Sequence, residues 1–312
     1  WVLDDTLYFL TDLNRLYAVT ADTGHMRWHH DIERPGRTVF RPCHGDDVFL
    51  SDEVPGIAND TAANPLVGLT PRDVVIINTR TQFVVLERET GVPLRRVDFG
   101  FAANTAAATD NTRLYVGTVK GQCVAYGLHD ALPGGALYAG EFLTAPVEVH
   151  NARVFVGGEN GMFYCANTRS NPEKIWFRPV GGPITAAFHI DDRGCFVPSQ
   201  DGQLYAFAAQ NGAPLWASPL RCDSPLIEPV QVEQNTAFQA SKAGTFYAID
   251  IAATAQHDWN APLELTFESD NGTWETGYVV QIAAPDFSWL ERTISINFRP
   301  LLGHPCLLCP SP

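Results

Sequence analysis

One short motif recurs along this chain, and a fixed repeat limits the possible architectures more tightly than any other sequence feature. The segments Asn14-Arg-Leu-Tyr-Ala-Val, Gly121-Gln-Cys-Val-Ala-Tyr, Gly161-Met-Phe-Tyr-Cys-Ala, Gly202-Gln-Leu-Tyr-Ala-Phe and Gly244-Thr-Phe-Tyr-Ala-Ile superimpose, and Thr81-Gln-Phe-Val-Val-Leu is a weaker sixth copy. Anchored on Tyr17, Val84, Val124, Tyr164, Tyr205 and Tyr247, the spacings are 67, 40, 40, 41 and 42 residues. The period is about 41 residues.

Each copy has the same internal order. An alternating or apolar run comes first, as in Thr6-Leu-Tyr-Phe-Leu, Leu114-Tyr-Val-Gly, Val154-Phe-Val-Gly and Cys195-Phe-Val-Pro. A turn residue able to take positive φ and the anchor strand follow, which predicts a β-hairpin. A second tight turn comes next (Asp22-Thr-Gly24, Glu89-Thr-Gly91, Gln210-Asn-Gly212), then a strand carrying Trp28 or Trp216, with Trp176 and Trp259 one residue later in their units. A short strand is predicted upstream of each hairpin, as in Ala145-Pro-Val-Glu-Val, Pro183-Ile-Thr-Ala-Ala and Leu226-Ile-Glu-Pro-Val. Four strands per repeat, with no 3.6-period amphipathic run between them, predict an all-β fold: a β-propeller of four-stranded blades. A β-sandwich has regular short strands but no reason to repeat one motif at constant spacing.

The segments Ala18-Val-Thr-Ala-Asp-Thr-Gly24-His-Met-Arg-Trp28 and Ala206-Phe-Ala-Ala-Gln-Asn-Gly212-Ala-Pro-Leu-Trp216 resemble the tryptophan-docking motif of the PQQ-type propeller repeat. The resemblance covers roughly residues 1–260. It implies that Gly24, Trp28, Gly91, Trp176, Gly212, Trp216 and Trp259 are blade-docking residues, each indole lying on the peptide unit of a neighbouring blade's Gly turn. A buried indole removes about 150–250 Å² from water and needs one partner for its N–H. Two units depart from the motif: Arg95 stands where Trp is expected, and the unit around Val124 offers only Tyr138. Those two docking contacts are expected to be degraded and their joints the weakest.

The spacing of 67 leaves a surplus that falls in about residues 51–71, a loop expected to extend from the second blade. Long loops in compact domains are often functional, so Asp52, Glu53, Ile57, Leu66 and Leu69 are candidate contact residues, with a tolerated insertion as the alternative. Residues 261–312 lack the motif but contain Leu263-Glu-Leu-Thr-Phe, Tyr278-Val-Val-Gln-Ile and Thr293-Ile-Ser-Ile-Asn-Phe. They are expected to form a degenerate seventh blade or an accessory β-segment, so that six repeats give seven blades, within a range of six to eight.

Thirty-five acidic against 21 basic residues give a net charge of −14, which argues against nucleic acid as a partner. No apolar run approaches the roughly 20 residues of a membrane span. The chain opens at Trp1, so a leader or further sequence is expected to precede it. The quinoprotein alcohol dehydrogenases that share this repeat hold their quinone with a vicinal disulfide, a Trp floor and a calcium ion. Here no two cysteines are adjacent, and no acidic constellation replaces those parts.

Neither a phosphate loop, a His-Glu-x-x-His helix nor a Gly-x-Ser-x-Gly elbow is present. Gly157-Gly-Glu-Asn-Gly161 reads as a hairpin turn. His304-Pro-Cys306-Leu-Leu-Cys309 supplies three potential tetrahedral ligands, with a disulfide or a free thiol pair as the plainer reading. Adjacent His29 and His30 point to opposite strand faces and do not chelate together. Asp46, Asp47, Asp52 and Glu53 form an acidic cluster with no metal-loop spacing. Asn59 and Asn271 head glycosylation sequons.

The expected protein has no catalytic, cofactor or metal residues. It is a propeller scaffold binding other proteins, with self-assembly possible in principle, in the cell envelope or outside the cell. The resemblance is closest in kind to propeller lipoproteins of outer-membrane assembly. A quinone- or small-molecule-binding redox protein, a subunit of a surface layer or filament, and the sensor domain of a larger protein are the alternatives.

Overall fold

A computed structural model describes residues 1–34, 37–43, 73–128, 130–140 and 142–251, and the backbone of 268–269, 272–273 and 280–283. Among them there is no helix longer than a single turn, and strands group into six sheets of three or four. The first sheet is β1 (Val2–Leu3), β2 (Thr6–Leu10), β3 (Arg15–Thr20) and β4 (Met26–Asp31), hydrogen-bonded in that order. The second is β5 (Val74–Asn78), β6 (Gln82–Glu87) and β7 (Pro93–Asp98). The third is β8 (Ala108–Thr109), β9 (Arg113–Gly117), β10 (Gln122–Gly127) and β11 (Pro133–Tyr138), and the fourth is β12 (Glu148–His150), β13 (Arg153–Gly157), β14 (Met162–Asn167) and β15 (Lys174–Pro179).

These four sheets belong to one compact unit, Trp1–Pro179 with Pro183–Thr185; residues 180–182 and 186–312 form a second. The second unit holds the fifth sheet, β16 (His189–Asp191), β17 (Gly194–Pro198), β18 (Gln203–Phe207) and β19 (Leu220–Arg221). It also holds the sixth, β20 (Gln231–Glu233), β21 (Thr236–Ala240) and β22 (Phe246–Asp250), plus a small ladder of β23 (Glu268–Ser269) and β24 (Gly272–Thr273).

Every sequence anchor lies on the third strand of its sheet, or on the second of the three-stranded one: Tyr17 on β3, Val84 on β6, Val124 on β10, Tyr164 on β14, Tyr205 on β18 and Tyr247 on β22. The hairpin turn ahead of it places Asn14, Gly121, Gly161, Gly202 or Gly244 at φ between 60° and 91°. That left-handed geometry is cheap for Gly and tolerable for Asn, which explains the residue types.

The short first strands differ from expectation. In the fourth, fifth and sixth sheets the ladder begins at Glu148, His189 and Gln231, later than the apolar runs at 145–149, 183–187 and 226–230 suggest. Those runs contain Pro146, Pro183 and Pro229, which have no N–H to donate. Their Val147, Ile184, Leu226 and Val230 are buried as packing on the connections. Apolar burial and ladder pairing are separate requirements, and periodicity reports only the first.

Alternate residues of one strand serve two cores, because side chains alternate across a strand. Val75, Ile77, Val84 and Leu86 pack with Tyr8, Leu16, Ala18 and Trp28 of the first sheet. Their neighbours Ile76, Phe83 and Val85 pack with Leu114, Val116 and Tyr126 of the third. Tyr115, Ala125 and Leu137 then meet Val154, Val156 and Tyr164 of the fourth. In the second unit Phe196, Ala206 and Trp216 meet Ala237, Tyr247 and Ile249. Sheets buried on both faces read as near-continuous apolar runs, as β5 and β13 do.

Beyond residue 260, β25 (Val280–Ala283) pairs parallel with β22, Phe246 opposite Val280 and Ile249 opposite Ala283. It occupies the outer position of the sixth sheet. Most of 261–312 lies outside the described residues, including His304, Cys306 and Cys309, as do Trp259, Asn271 and the segment 44–72 with Asp46, Asp47 and Asn59.

Cys123, Cys165, Cys195 and Cys222 are buried as free thiols, and burial pushes Cys123, Cys165 and Cys222 up to about 12. The thiolate is the reactive form. Iodoacetamide at pH 8 is therefore expected to leave these four unlabelled in the folded protein and to label all four in urea, as read by peptide mass mapping.

Candidate functional site

The joints between consecutive sheets of the first unit are where the motif residues converge. At the first, Trp28 lies opposite Ala18 in the β3–β4 ladder, a small partner that leaves room for the indole. The ring is 6% exposed and lies 5.9 Å from Tyr8 on its own sheet. Its other side rests on the next sheet's turn, where a Cβ built on Gly91 would come within 2.5 Å of the indole carbons. Trp28 Nε1 donates to the carbonyl of Arg88 at 2.6 Å. Gly91 is required twice, by a φ of 70° and by the ring lying on it.

At the second joint Arg95 holds the same ladder position, opposite Val85. Its Nη1 donates at 2.7 Å to the carbonyl of Leu128, the residue one step past β10, as Arg88 is one step past β6. At the third, Gly134 and Gly135 fall in the β10–β11 bulge opposite Ala125, and the Gly135 N–H donates to the carbonyl of Ser170 at 2.5 Å. With no side chain there, the next sheet's turn approaches until a Cβ on Gly134 would lie 2.4 Å from Ser170 O. The two joints expected to be degraded thus each keep a hydrogen bond to the neighbouring turn. Tyr138 is not the substitute; it is 60% exposed and its hydroxyl donates to Gly140 O.

Trp176 is 7% exposed between Phe155 and Phe163 of its own sheet, and Trp216 is 6% exposed beside Phe196. Trp216 lies outside any strand, because the fifth sheet's outer edge shrinks to β19 and a single Phe207–Pro214 bridge where Pro214 and Pro219 supply no donor. Gly212 takes φ 68° and its N–H donates to Ala208 O. Gly24 takes φ 71°, but nothing lies within 4 Å of the Cβ position, so no described residue docks on it.

One signal was missed in the sequence. Tyr8, Phe155 and Phe196 each stand opposite Ala18, Cys165 or Ala206. In these three sheets the aromatic opposite a small residue seats the indole, whereas the same pairing of Tyr115 with Ala125 in the third sheet faces glycines instead.

Ion pairs reinforce the first joint. Arg88 donates to Asp4 at 2.7 Å and Asp5 at 2.9 Å, while Arg27 donates to Asp5 at 2.6 Å and reaches Glu89 at 3.4 Å. The Arg27 hydrogen bond is the main cause holding the Asp5 carboxyl below its ordinary 3.8. The described residues on either side of the insertion, Cys43 and Asp73, both pair with the second sheet. Cys43 and Ile76 exchange backbone hydrogen bonds at 2.8 Å, and on return the carbonyl of Asp73 accepts from Arg88 N at 2.8 Å. Asp52, Glu53, Ile57, Leu66 and Leu69 lie between these points, outside the described residues. Farther in, Arg41 pairs with Glu148 of β12.

The family model described as outer membrane protein assembly factor BamB matches residues 140–218 and 172–271. The chain carries PQQ-like propeller repeats. Among solved structures, BamB from Moraxella catarrhalis aligns with a TM-score of 0.59 at 17% identity, covering 80% of this chain and 68% of that one. The computationally designed Ika8 protein aligns with a TM-score of 0.59 at 12% identity, covering 80% and 70%. No curated protein matches. The sheets are therefore blades, and the PQQ-like docking contact is made here by three different donors: an indole, a guanidinium and a main-chain amide.

Two pairs of variants test this. Gly91→Ala meets both the left-handed backbone and the ring, and is expected to cost about 2–5 kcal/mol, whereas Gly24→Ala meets only the backbone and costs about 1–2 kcal/mol. Arg95→Leu leaves the Leu128 carbonyl unpaired, at about 1–3 kcal/mol, while Arg95→Trp sets an indole against the Cβ of Ala131, which stands at φ 57° where the first joint has Gly91, and is expected to cost about 1–3 kcal/mol. Urea denaturation checks all four.

Proposed function

We propose that this PQQ-like propeller is a non-catalytic scaffold that binds other proteins in the cell envelope or the extracellular space. The observation that carries the reading is the match of residues 140–271 to the family described as outer membrane protein assembly factor BamB. Fold alone does not fix function, so the reading also draws on how the joints are built. Docking Trp, Arg and Gly residues are spent on locking blade to blade, which favours a rigid platform. The insertion at 51–71 is bracketed by Cys43 and Asp73, both hydrogen-bonded to the second sheet, and its surplus length suits a contact loop. A seventh blade drawing on residues 261–312 completes the proposed architecture.

Native mass spectrometry of the protein from its own source tests the scaffold. A heteromeric assembly without a small molecule supports it, and a lone chain carrying a quinone or a metal overturns it. Replacing 51–71 by a short Gly-Ser turn is expected to abolish partner retention while shifting the urea midpoint little. Full retention by that variant would move the contact surface elsewhere.

A further inference from the structure

On its way to the second blade, the first presents a titratable group next to Trp28. His30 is directly opposite Leu16 in the β3–β4 ladder, and Arg96 is directly opposite Val84 in the β6–β7 ladder. Directly opposed residues share a face, and both Leu16 and Val84 belong to the core between these two blades. His30, partly exposed, and Arg96, exposed, therefore lie on the two faces that border one joint. Arg96 is fixed there, its Nη1 donating to the carbonyl of Ile32 at 3.3 Å. The Nε2 atom of His30 is buried and has no hydrogen-bond partner.

We propose that the seam between the first and second blades is acid-sensitive: protonation of His30 sets a second positive charge against Arg96 and loosens the first blade from the second. A proton on Nε2 creates a buried donor with no acceptor, at a cost that solvent reaching the rest of the ring and the exposed Arg96 reduces. Desolvation, followed by the Arg96 charge, already holds the imidazole below its ordinary 6.5.

The other charged groups around the seam do not supply the missing acceptor. Asp31, on the same strand, is engaged by Arg15 of β3 at 2.6 Å. Glu33 accepts from Gln82 of β6 at 3.0 Å. Asp4 and Asp5 are held by Arg88 and Arg27 at the far end, and His29 stacks on Tyr17 on the opposite face.

The sign follows from proton counting. Above pH 6.5 both folded and unfolded chains carry neutral His30, and the seam has its full stability. As pH falls below 6.5 the unfolded chain takes up a proton that the folded seam resists, so stability declines with falling pH by at most about tenfold in the opening constant per unit. Asp5 and Asp31 are held below 3.8 chiefly by Arg27 and Arg15, so their contribution is complete above 3.8 and is lost only below it. The His30 window opens at 6.5 and the carboxylate window only at 3.8, so a loss between pH 7 and pH 5 does not come from Asp5 or Asp31.

The test is hydrogen exchange on the whole chain at pH 7 and pH 5, expressed as protection factors so that the intrinsic pH dependence cancels. Protection of Leu16 and Ala18 is expected to fall about tenfold at pH 5 relative to that of Val154 and Val156 in the fourth blade. His30→Gln is expected to abolish the difference, and Arg96→Gln to reduce it. An imidazole titration by NMR reads His30 directly and stands even if a variant folds poorly, with a midpoint below 6.5 expected. A midpoint at or above 6.5, an equal loss of protection in both blades, or a loss that persists in His30→Gln would each overturn the proposal.

Discussion

Each joint of the first unit turns on a main-chain carbonyl just beyond an anchor strand. A carbonyl turned into the gap between two packed sheets needs a donor there: leaving that of buried Leu128 unpaired costs about 1–3 kcal/mol, and solvent offsets part of the cost at exposed Ser170. Arg88, Leu128 and Ser170 present that acceptor, and the preceding blade must supply a donor. This one demand aligns neighbouring blades, because the donor has to arrive at a fixed height along the outer strand. The register shifts at Ala18/Val19 and Val85/Leu86 fall beside the donor position, which ties the bulge to the docking geometry.

The acceptor is constant while the donor varies, and the packing adjusts to the donor. An indole fills the gap with its own apolar surface, so its turn needs Gly91. A guanidinium reaches Leu128 along a flexible stem and presents several N–H groups, so exact placement matters less. With glycine at the donor position, the turn itself moves in until two backbones touch, and Gly134 and Gly135 become the residues that cannot be changed. The blades are thus interchangeable in architecture without being interchangeable in chemistry.

The sequence spoke clearly about the hairpins, since Thr6–Leu10 and Gly194–Pro198 show their runs and the left-handed turns need Gly or Asn. It spoke poorly about the short inner strands, whose Pro-interrupted apolar approaches pack without pairing. It read Arg95 as a degraded contact and passed over the Gly134-Gly135 pair in favour of Tyr138, because a motif defined by Trp has no way to recognise another donor aimed at the neighbouring carbonyl. The candidate contact loop was legible as surplus length; the anchoring of its flanks was not, since that depends on Cys43 meeting Ile76 and on the Asp73 carbonyl meeting the Arg88 amide across the second sheet.

The sequence alone determined the number of recognisable repeats and the β-hairpin in each, because periodicity and turn chemistry are local properties, while a docking role for Trp28 was what its resemblance to the tryptophan-docking motif implied. Only the tertiary structure decided which donor satisfies each carbonyl, that Gly24 has no described residue docked on it, and that His30 faces Arg96. Those outcomes depend on which residues of different blades meet, and no local pattern records a partner 60 residues away.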